Sequence, residues 1–170
     1  MTAVRRGDWA SFDLLVLRHQ ATAWRVAYRL LGDRAEAEDV AQHAFLRILE
    51  ASPRYEPSAR FTTYLHQVVT RLCFDRIRRK RPTPLDSALE VADSKTPLEL
   101  DLSGEREAAV RRCLDALPPA QRTAIVLRHF EGSSYREIAA AMETTEKAVE
   151  RLLARAREAL EPMLAGLLET

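Results

Sequence analysis

The sequence predicts an all-α protein, two small helical domains joined by a flexible acidic linker. Three observations carry that expectation. Apolar residues recur at spacings of three and four along most of the chain, the period of an amphipathic helix. Glycine is scarce, five in 170 residues, while Ala, Leu, Arg and Glu are abundant. Between residues 82 and 103 the period stops, in a stretch rich in proline, serine and acidic side chains that need not fold alone. The predicted domains are therefore residues 8–81 and 104–163.

Asp8 can cap a first helix with Trp9, Phe12, Leu15 and Val16 on its inner face. A further helical run holds Trp24, Ala27, Tyr28, Leu30 and Leu31, and Gly32 closes it as a C-terminal cap. Asp33 with Glu36 three residues on is a capping-box spacing that opens a long helix. Val40, Ala41, Ala44, Phe45, Ile48 and Leu49 share one face of it. Glu38, Asp39, Gln42 and Arg47 lie off that face and are available to a partner.

Pro53 and Pro57 break the helix into a loop that carries Arg54 and an exposed-looking Tyr55. A cation and an aromatic ring in a loop are what single-stranded nucleic acid uses, through phosphate contact and base stacking. The next helix spans residues 61–81, with Phe61, Leu65, Val68, Leu72 and Ile77 inside. Its second half holds Arg71, Arg76, Arg78, Arg79, Lys80 and Arg81 against Asp75. Cations suit a helix C-terminus, but this density exceeds that need and points to a phosphate-binding surface.

After the linker a helix from Glu105 carries Ala109, Val110, Cys113, Leu114 and Leu117. Pro118-Pro119 breaks it, and residues 120–130 form another with Ile125, Val126 and Leu127 inside. Gly132 punctuates the chain before the stretch SSYREIAAAMETTEKAVERLLARAR. There Ser134 and Glu137 repeat the capping-box spacing, and Ile138, Ala139 and Met142 form a short apolar stripe. Thr144 or Thr145 can cap a second helix on which Val149, Leu152, Ala156 and Leu160 recur beside Lys147, Arg151 and Arg155. A small helix packed across a basic amphipathic one is a helix-turn-helix, which sets its second helix in the DNA major groove. Glu143 stands in the turn where a glycine would ease a positive backbone angle, and Glu146 and Glu150 dilute the positive potential.

Charge is distributed unevenly. The formal net charge is +1, but residues 1–81 carry +6, residues 82–110 carry −5 and residues 111–170 balance to zero. A basic lobe, an acidic connector and a mixed lobe lie in series. No run reaches the length of a membrane span and no signal-peptide core is present, so a cytoplasmic protein without membrane insertion is expected. Cys73 and Cys113 sit inside amphipathic patterns and read as buried free thiols. Asp39 and His43, four residues apart, could touch one metal, but a second ligand pair is missing. His19, His43, His66 and His129 are scattered without a nucleophile–base spacing, so neither catalytic residues nor a metal or cofactor is expected. A conventional helix-turn-helix regulator, dimeric and tight on duplex DNA, is the competing interpretation.

Taken in order, these elements resemble the extracytoplasmic-function (ECF) group of sigma-70-family sigma factors, bacterial RNA polymerase subunits that recognise promoters. The resemblance runs from about residue 9 to 161. Residues 37–46, AEDVAQHAFL, resemble the D-A-E-D-x-x-Q-x-x-F-L stretch of region 2. Phe61-Thr62-Thr63-Tyr64-Leu65 resembles F-x-x-W-L with tyrosine for tryptophan, and Asp75-Arg76-Ile77-Arg78-Arg79 resembles D-x-x-R-R. Leu114-Asp115-Ala116-Leu117-Pro118, Tyr135-x-Glu137-Ile138-Ala139 and Arg155-Ala156-Arg157 resemble region 4.

The resemblance implies site roles. Glu38, Asp39, Gln42, Phe45 and Arg47 would bind core RNA polymerase. Arg54, Tyr55, Arg71, Arg76, Arg78 and Arg79 would hold the −10 element of promoter DNA. Arg122, Arg128, Ser134, Tyr135, Arg136, Thr144, Thr145, Lys147, Glu150, Arg151 and Arg155 would engage the −35 element, with Arg122, Arg128 and Arg136 on phosphates. An anti-sigma factor would be an inhibitory partner. Two departures leave the base preferences open: Thr70-Arg71 stands where many members have Arg-Asn, and the reading helix carries Lys147-Ala148-Val149-Glu150-Arg151-Leu152.

Overall fold

The computed structural model describes residues 1–56, 59–80 and 102–168, side chains of residues 102–106 and 166–168 excepted. The described residues form helices and turns: α1 (Thr2–Arg5), α2 (Trp9–Leu31), α3 (Arg34–Ala51), α4 (Phe61–Lys80), α5 (Leu102–Asp115), α6 (Pro119–Ile125), α7 (Tyr135–Ala141) and α8 (Glu146–Leu168). Most of the expected linker, and Pro57 of the loop, lie outside the described residues; the linker's last two positions already belong to α5.

Local chemistry sets the helix ends. Asp8 accepts the Ser11 amide at 3.0 Å and Asp33 accepts the Glu36 amide at 2.9 Å, so each fills a donor left open in a first turn. Gly32 ends α2 at φ 78°, its amide bonded to the Tyr28 carbonyl. The sequence suggested two helical runs before Gly32, but α2 is one continuous helix of 23 residues. No breaker separates the runs, and Ala21, Thr22 and Ala23 carry the helix between them. Its first turn projects past the core, which leaves Trp9 66% exposed where an inner-face position was expected.

A two-residue turn folds α3 back on α2, and α4 packs across both. Ala23, Val26, Ala27 and Leu30 of α2 meet Val40, Ala44 and Ile48 of α3 and Leu65, Val69 and Cys73 of α4 in one buried cluster. The expected α4 stripe of Phe61, Val68, Leu72 and Ile77 is only half-buried. The deepest row is offset because α4 is covered on more than one side: it packs on α2 and α3 and also on α7. Thr63, His66 and Thr70 are buried for the same reason.

In the second half, Cys113, Leu114 and Leu117 of the α5 region are buried, whereas Val110 is 42% exposed, against expectation. The expected helix over 120–130 divides. Pro119 starts α6, which is regular to Ile125, and residues Val126–Phe130 then take a wider π-type turn. The Glu131 amide reaches back to the Val126 carbonyl at 3.3 Å, and this wider turn accompanies complete burial of both Val126 and Leu127. Such turns are uncommon and are not marked by a residue pattern.

The two halves share one apolar cluster. Two arginines from the second half also finish α2. Arg111 donates to the Tyr28 carbonyl at 2.7 Å, alongside the Gly32 amide, and Arg122 donates at 2.8 Å to the Leu30 carbonyl, an acceptor that the helix end leaves open. Gly32 is needed twice over, since a Cβ there would overlap the Arg111 guanidinium as well as strain the left-handed backbone. Gly32→Ala is expected to lower unfolding stability by about 1–2 kcal/mol in urea titrations. An unchanged midpoint would show that neither the left-handed angle nor the Arg111 seat resists a Cβ at this position.

Candidate polymerase groove and nucleic-acid interface

The exposed side of the α2–α3 hairpin carries an open groove of about 910 Å³. Phe12, Val16 and Trp24 wall it from α2, and Ala41, Phe45 and Leu46 from α3, with Glu38, Gln42 and Arg25 contributing the polar lining. Trp24 is fixed in place: its ring stacks on Tyr28 at 5.0 Å. Leu46 is 55% exposed, so apolar surface is open to solvent. Of the five residues expected to bind polymerase, Glu38, Gln42 and Phe45 therefore line one surface. Asp39 does not line it; its carboxylate meets the Arg76 guanidinium of α4 at 3.3 Å. Arg47 is exposed and lies outside the lining.

The loop after α3 begins as a single tight turn, Ser52–Arg54, with Arg54 exposed at its end. Tyr55 is half-buried, not free: its ring lies 5.2 Å from that of Tyr64, and its carbonyl faces Arg5 at 3.5 Å. Burial, with Tyr55 beside it, raises the Tyr64 hydroxyl above its ordinary pKa. On α4 the cations separate by partner. Arg76 pairs with Asp39, Arg78 with Asp75 at 3.0 Å and Lys80 with Glu36 at 2.7 Å. Arg79 is exposed and makes no ion pair among the described residues. Arg71 is 70% exposed and reaches Glu143, in the helix-turn-helix, at 3.6 Å. Thr70 beside it is turned inward and 1% exposed.

The helix-turn-helix is α7, the turn 142–145 and α8. Both halves of the capping box form: Ser134 Oγ accepts the Glu137 amide at 3.3 Å, and Glu137 accepts the Ser134 amide at 2.9 Å. These bonds to Ser134 hold the Glu137 carboxyl below its ordinary pKa. Glu143 takes φ 52°, the left-handed angle that the turn demands. Of the two candidate caps, Thr145 acts: its hydroxyl accepts the Ala148 amide at 3.2 Å. Val149, Leu153 and Ala156 are fully buried and fix the helix by its inner face. Leu152 and Leu160, expected there, are half-buried. Lys147, Glu150, Arg151 and Arg155 all stand exposed on the outer side.

The residues flanking this unit divide into two groups. Arg136 is exposed; Arg128 donates to the Ser133 carbonyl at 3.0 Å and covers the Tyr135 ring at 5.4 Å. Arg122 is turned inward, against the expectation of a phosphate contact. Its guanidinium, 13% exposed, bonds the Leu30 and Asp115 carbonyls and pairs with the Asp115 carboxylate at 3.2 Å. Its burial lowers its pKa from the ordinary arginine value.

Several residues outside the expected set join the halves. Gln67 donates to Glu143 at 3.1 Å, Arg60 faces Glu137 at 3.9 Å, and Arg29 meets Glu131 at 3.7 Å. The sequence carried one signal of this seam: an acidic residue, Glu143, where the backbone favours glycine.

Known proteins share this arrangement. Residues 15–83 match the family model described as Sigma-70 region 2, and residues 107–160 match that of Sigma-70, region 4. The RNA polymerase sigma-H factor of Pseudomonas aeruginosa is 35% identical, with 97% of this chain and 92% of that protein covered. The ECF RNA polymerase sigma factor SigW of Bacillus subtilis is 31% identical, covering 96% and 94%. Among solved structures, the sigma factor RpoE of Bartonella quintana, in complex with the anti-sigma factor NepR, has the same fold. Its TM-score is 0.70 at 21% identity, over 91% of this chain and 97% of that one. With two region models in sequence order and relatives matched nearly end to end, this chain belongs to the ECF group of sigma-70-family RNA polymerase sigma factors.

Proposed function

We propose that this chain directs bacterial core RNA polymerase to promoters through three surfaces. The α2–α3 groove takes the polymerase, with Glu38, Gln42 and Phe45 in its lining. The segment around Arg54 and Tyr55, with α4 from Arg71 to Arg79, holds the separated strand of the −10 element. Helix α8 reads the −35 duplex with Lys147, Glu150, Arg151 and Arg155, while Arg128 and Arg136 sit against phosphates, which position without specifying. The domains carrying these surfaces are residues 8–81 and 104–163.

The observation that carries the proposal is the build of α8. Its apolar side is locked in the core while its cations, offset by four residues, stand together on the open side. A helix so fixed can enter a major groove without rearranging. The complex of Bartonella RpoE with NepR supports an inhibitory protein partner for this chain too, and the open apolar groove is a surface that such a partner would cover.

Run-off transcription with core polymerase, this protein and a library of promoter fragments tests the proposal. Initiation at a defined subset that depends on the protein is the expected result. Dimeric, tight binding of duplex DNA without polymerase, and no initiation, would favour the conventional regulator. In the same assay Arg71→Ala is expected to reduce open-complex formation by roughly tenfold, equivalent to one or two lost phosphate or stacking contacts, and to spare duplex binding. Equal loss in both would remove Arg71 from the −10 surface.

A further inference from the structure

Residues 1–7 precede the first expected domain, yet the structure builds them onto the loop that follows α3. Helix α1 packs against both α2 and the Ser52–Arg54 turn, with Val4 5% exposed and Met1 seated on the apolar cluster. Two bonds close its end: the Gly7 amide reaches the Val4 carbonyl at 2.9 Å and the Asp8 amide the Ala3 carbonyl at 3.2 Å. Gly7 takes φ 85° to allow both, the left-handed cap that glycine adopts without strain. The short helix is thereby folded back in one direction, and the Arg5 guanidinium faces the Tyr55 carbonyl at 3.5 Å.

Charge makes this placement informative. Of the cations expected to hold the −10 strand, Arg71, Arg76 and Arg78 are each met by a carboxylate of the protein itself. Helix α1 brings two more to the Arg54 turn. Arg5, Arg6 and Arg54 are all exposed, and none makes an ion pair among the described residues. The acids close in sequence leave most of this charge standing. Asp8 is turned to the amide and hydroxyl of Ser11, and Glu56, exposed after Tyr55, offsets one of the three. Next to them stands the Tyr55–Tyr64 ring pair, 5.2 Å between centroids. Cations along a backbone track, with aromatic faces for bases, are the two parts of a single-strand site.

We propose that α1 forms a further wall of the strand-holding surface, with Arg5 and Arg6 on the sugar-phosphate backbone of the single DNA strand that passes the Arg54–Tyr55 loop. The inference rests on the assignment of that loop to the −10 strand. Contacts to phosphate hold a strand without selecting its sequence, so α1 adds grip and not base preference. The two arginines divide the work. Arg5 also ties α1 to the loop through the Tyr55 carbonyl, whereas the Arg6 side chain makes no hydrogen bond or ion pair among the described residues.

The test titrates the full chain with a fluorescent oligothymidylate, a single strand with no sequence to select, at a series of salt concentrations. Each phosphate contact contributes about 0.7 to the slope of log affinity against log salt. Replacing Arg5 and Arg6 together by alanine is expected to make that slope shallower by about 1.4. Binding should weaken roughly twentyfold at about 0.1 M salt, the loss closing as salt rises. Arg6→Ala alone is expected to give about half the change in slope with an unaltered melting temperature, because this side chain braces nothing. Arg6→Lys, which keeps the charge, is expected to restore it.

Three outcomes would count against the proposal, each in a different way. Parent-like affinity and slope in the double variant, while Arg54→Ala weakens binding, would overturn the role of α1 and leave the loop standing. Lower affinity with an unchanged slope would reduce Arg5 to a brace for the loop and overturn the phosphate contact. No binding by the parent, or binding that neither Arg54→Ala nor Arg71→Ala reduces, would remove the strand-holding surface itself and the inference with it.

Discussion

Leu46→Asp is expected to weaken binding to core polymerase by roughly a hundredfold while leaving the melting temperature unchanged. The two halves of this result come from one fact, that Leu46 is 55% exposed and yet lines the apolar groove. In the free protein an aspartate there stays hydrated, so folding loses little. In a complex it would be pressed among Phe12, Val16 and Phe45, and taking a carboxylate out of water into apolar surroundings costs several kcal/mol. Phe45 is a poorer probe, because it is 6% exposed and its loss would hollow the domain core as well. Affinity measured against immobilised core enzyme decides the matter. Unchanged binding by a well-folded Leu46→Asp would place the polymerase on another surface.

Stability is expected to fall by about 2–3 kcal/mol as the pH drops from 7 towards 4, with His66 the main source. His66 is 5% exposed, its Nε2 has no hydrogen-bond partner among the described residues, and burial lowers its pKa from 6.5 to about 4. Between those two values the unfolded chain holds a proton that the folded chain refuses. Protons therefore favour unfolding across that window, and the full stability is present only above the unfolded value of 6.5. Glu131, 4.0 Å away, and the Glu137 charge moderate the effect, while His19 adds to it. Below the window a separate loss begins, as the hydrogen-bonded carboxylates of Glu137 and Asp8, both held below their ordinary values, take up protons. Urea titrations at a series of pH values check this, with His66→Gln expected to flatten the curve between pH 7 and 5. A flat curve in the parent protein would mean that the native state admits a charged His66.

Elements whose cause is local were legible in the sequence. Asp8, Gly32, Asp33, Ser134 and the threonine pair at 144–145 each act within a few residues of themselves, and the structure uses them as helix ends. The basic outer side of α8 was legible for the same reason. What escaped depended on partners distant in the chain. The α4 stripe was misjudged because α7, more than fifty residues on, covers a second side of that helix. Arg122 carries no mark that distinguishes a phosphate ligand from a cap for the Leu30 carbonyl 92 residues earlier. Among the groove residues, Glu38 and Gln42 were legible on α3 as side chains open to a partner, whereas Phe45 reads there as an inner-face residue and enters the set only through the family resemblance. The opposing wall, Phe12, Val16 and Trp24, had been assigned to an ordinary inner face, since one helix cannot show that its stripe is only partly covered.

The arginines that complete α2 bear on how the molecule is made. A ribosome has translated the α2–α3 hairpin, which ends at Ala51, well before it reaches codons 111 and 122, and nascent domains fold during synthesis. Throughout that interval the Tyr28 carbonyl lacks its arginine partner and the Leu30 carbonyl must make do with water. The last turn of α2 should thus fray in the half-made chain and tighten only when the remainder arrives. The hairpin on which the groove is built reaches its finished form late, as the product of the whole chain and not of its first domain.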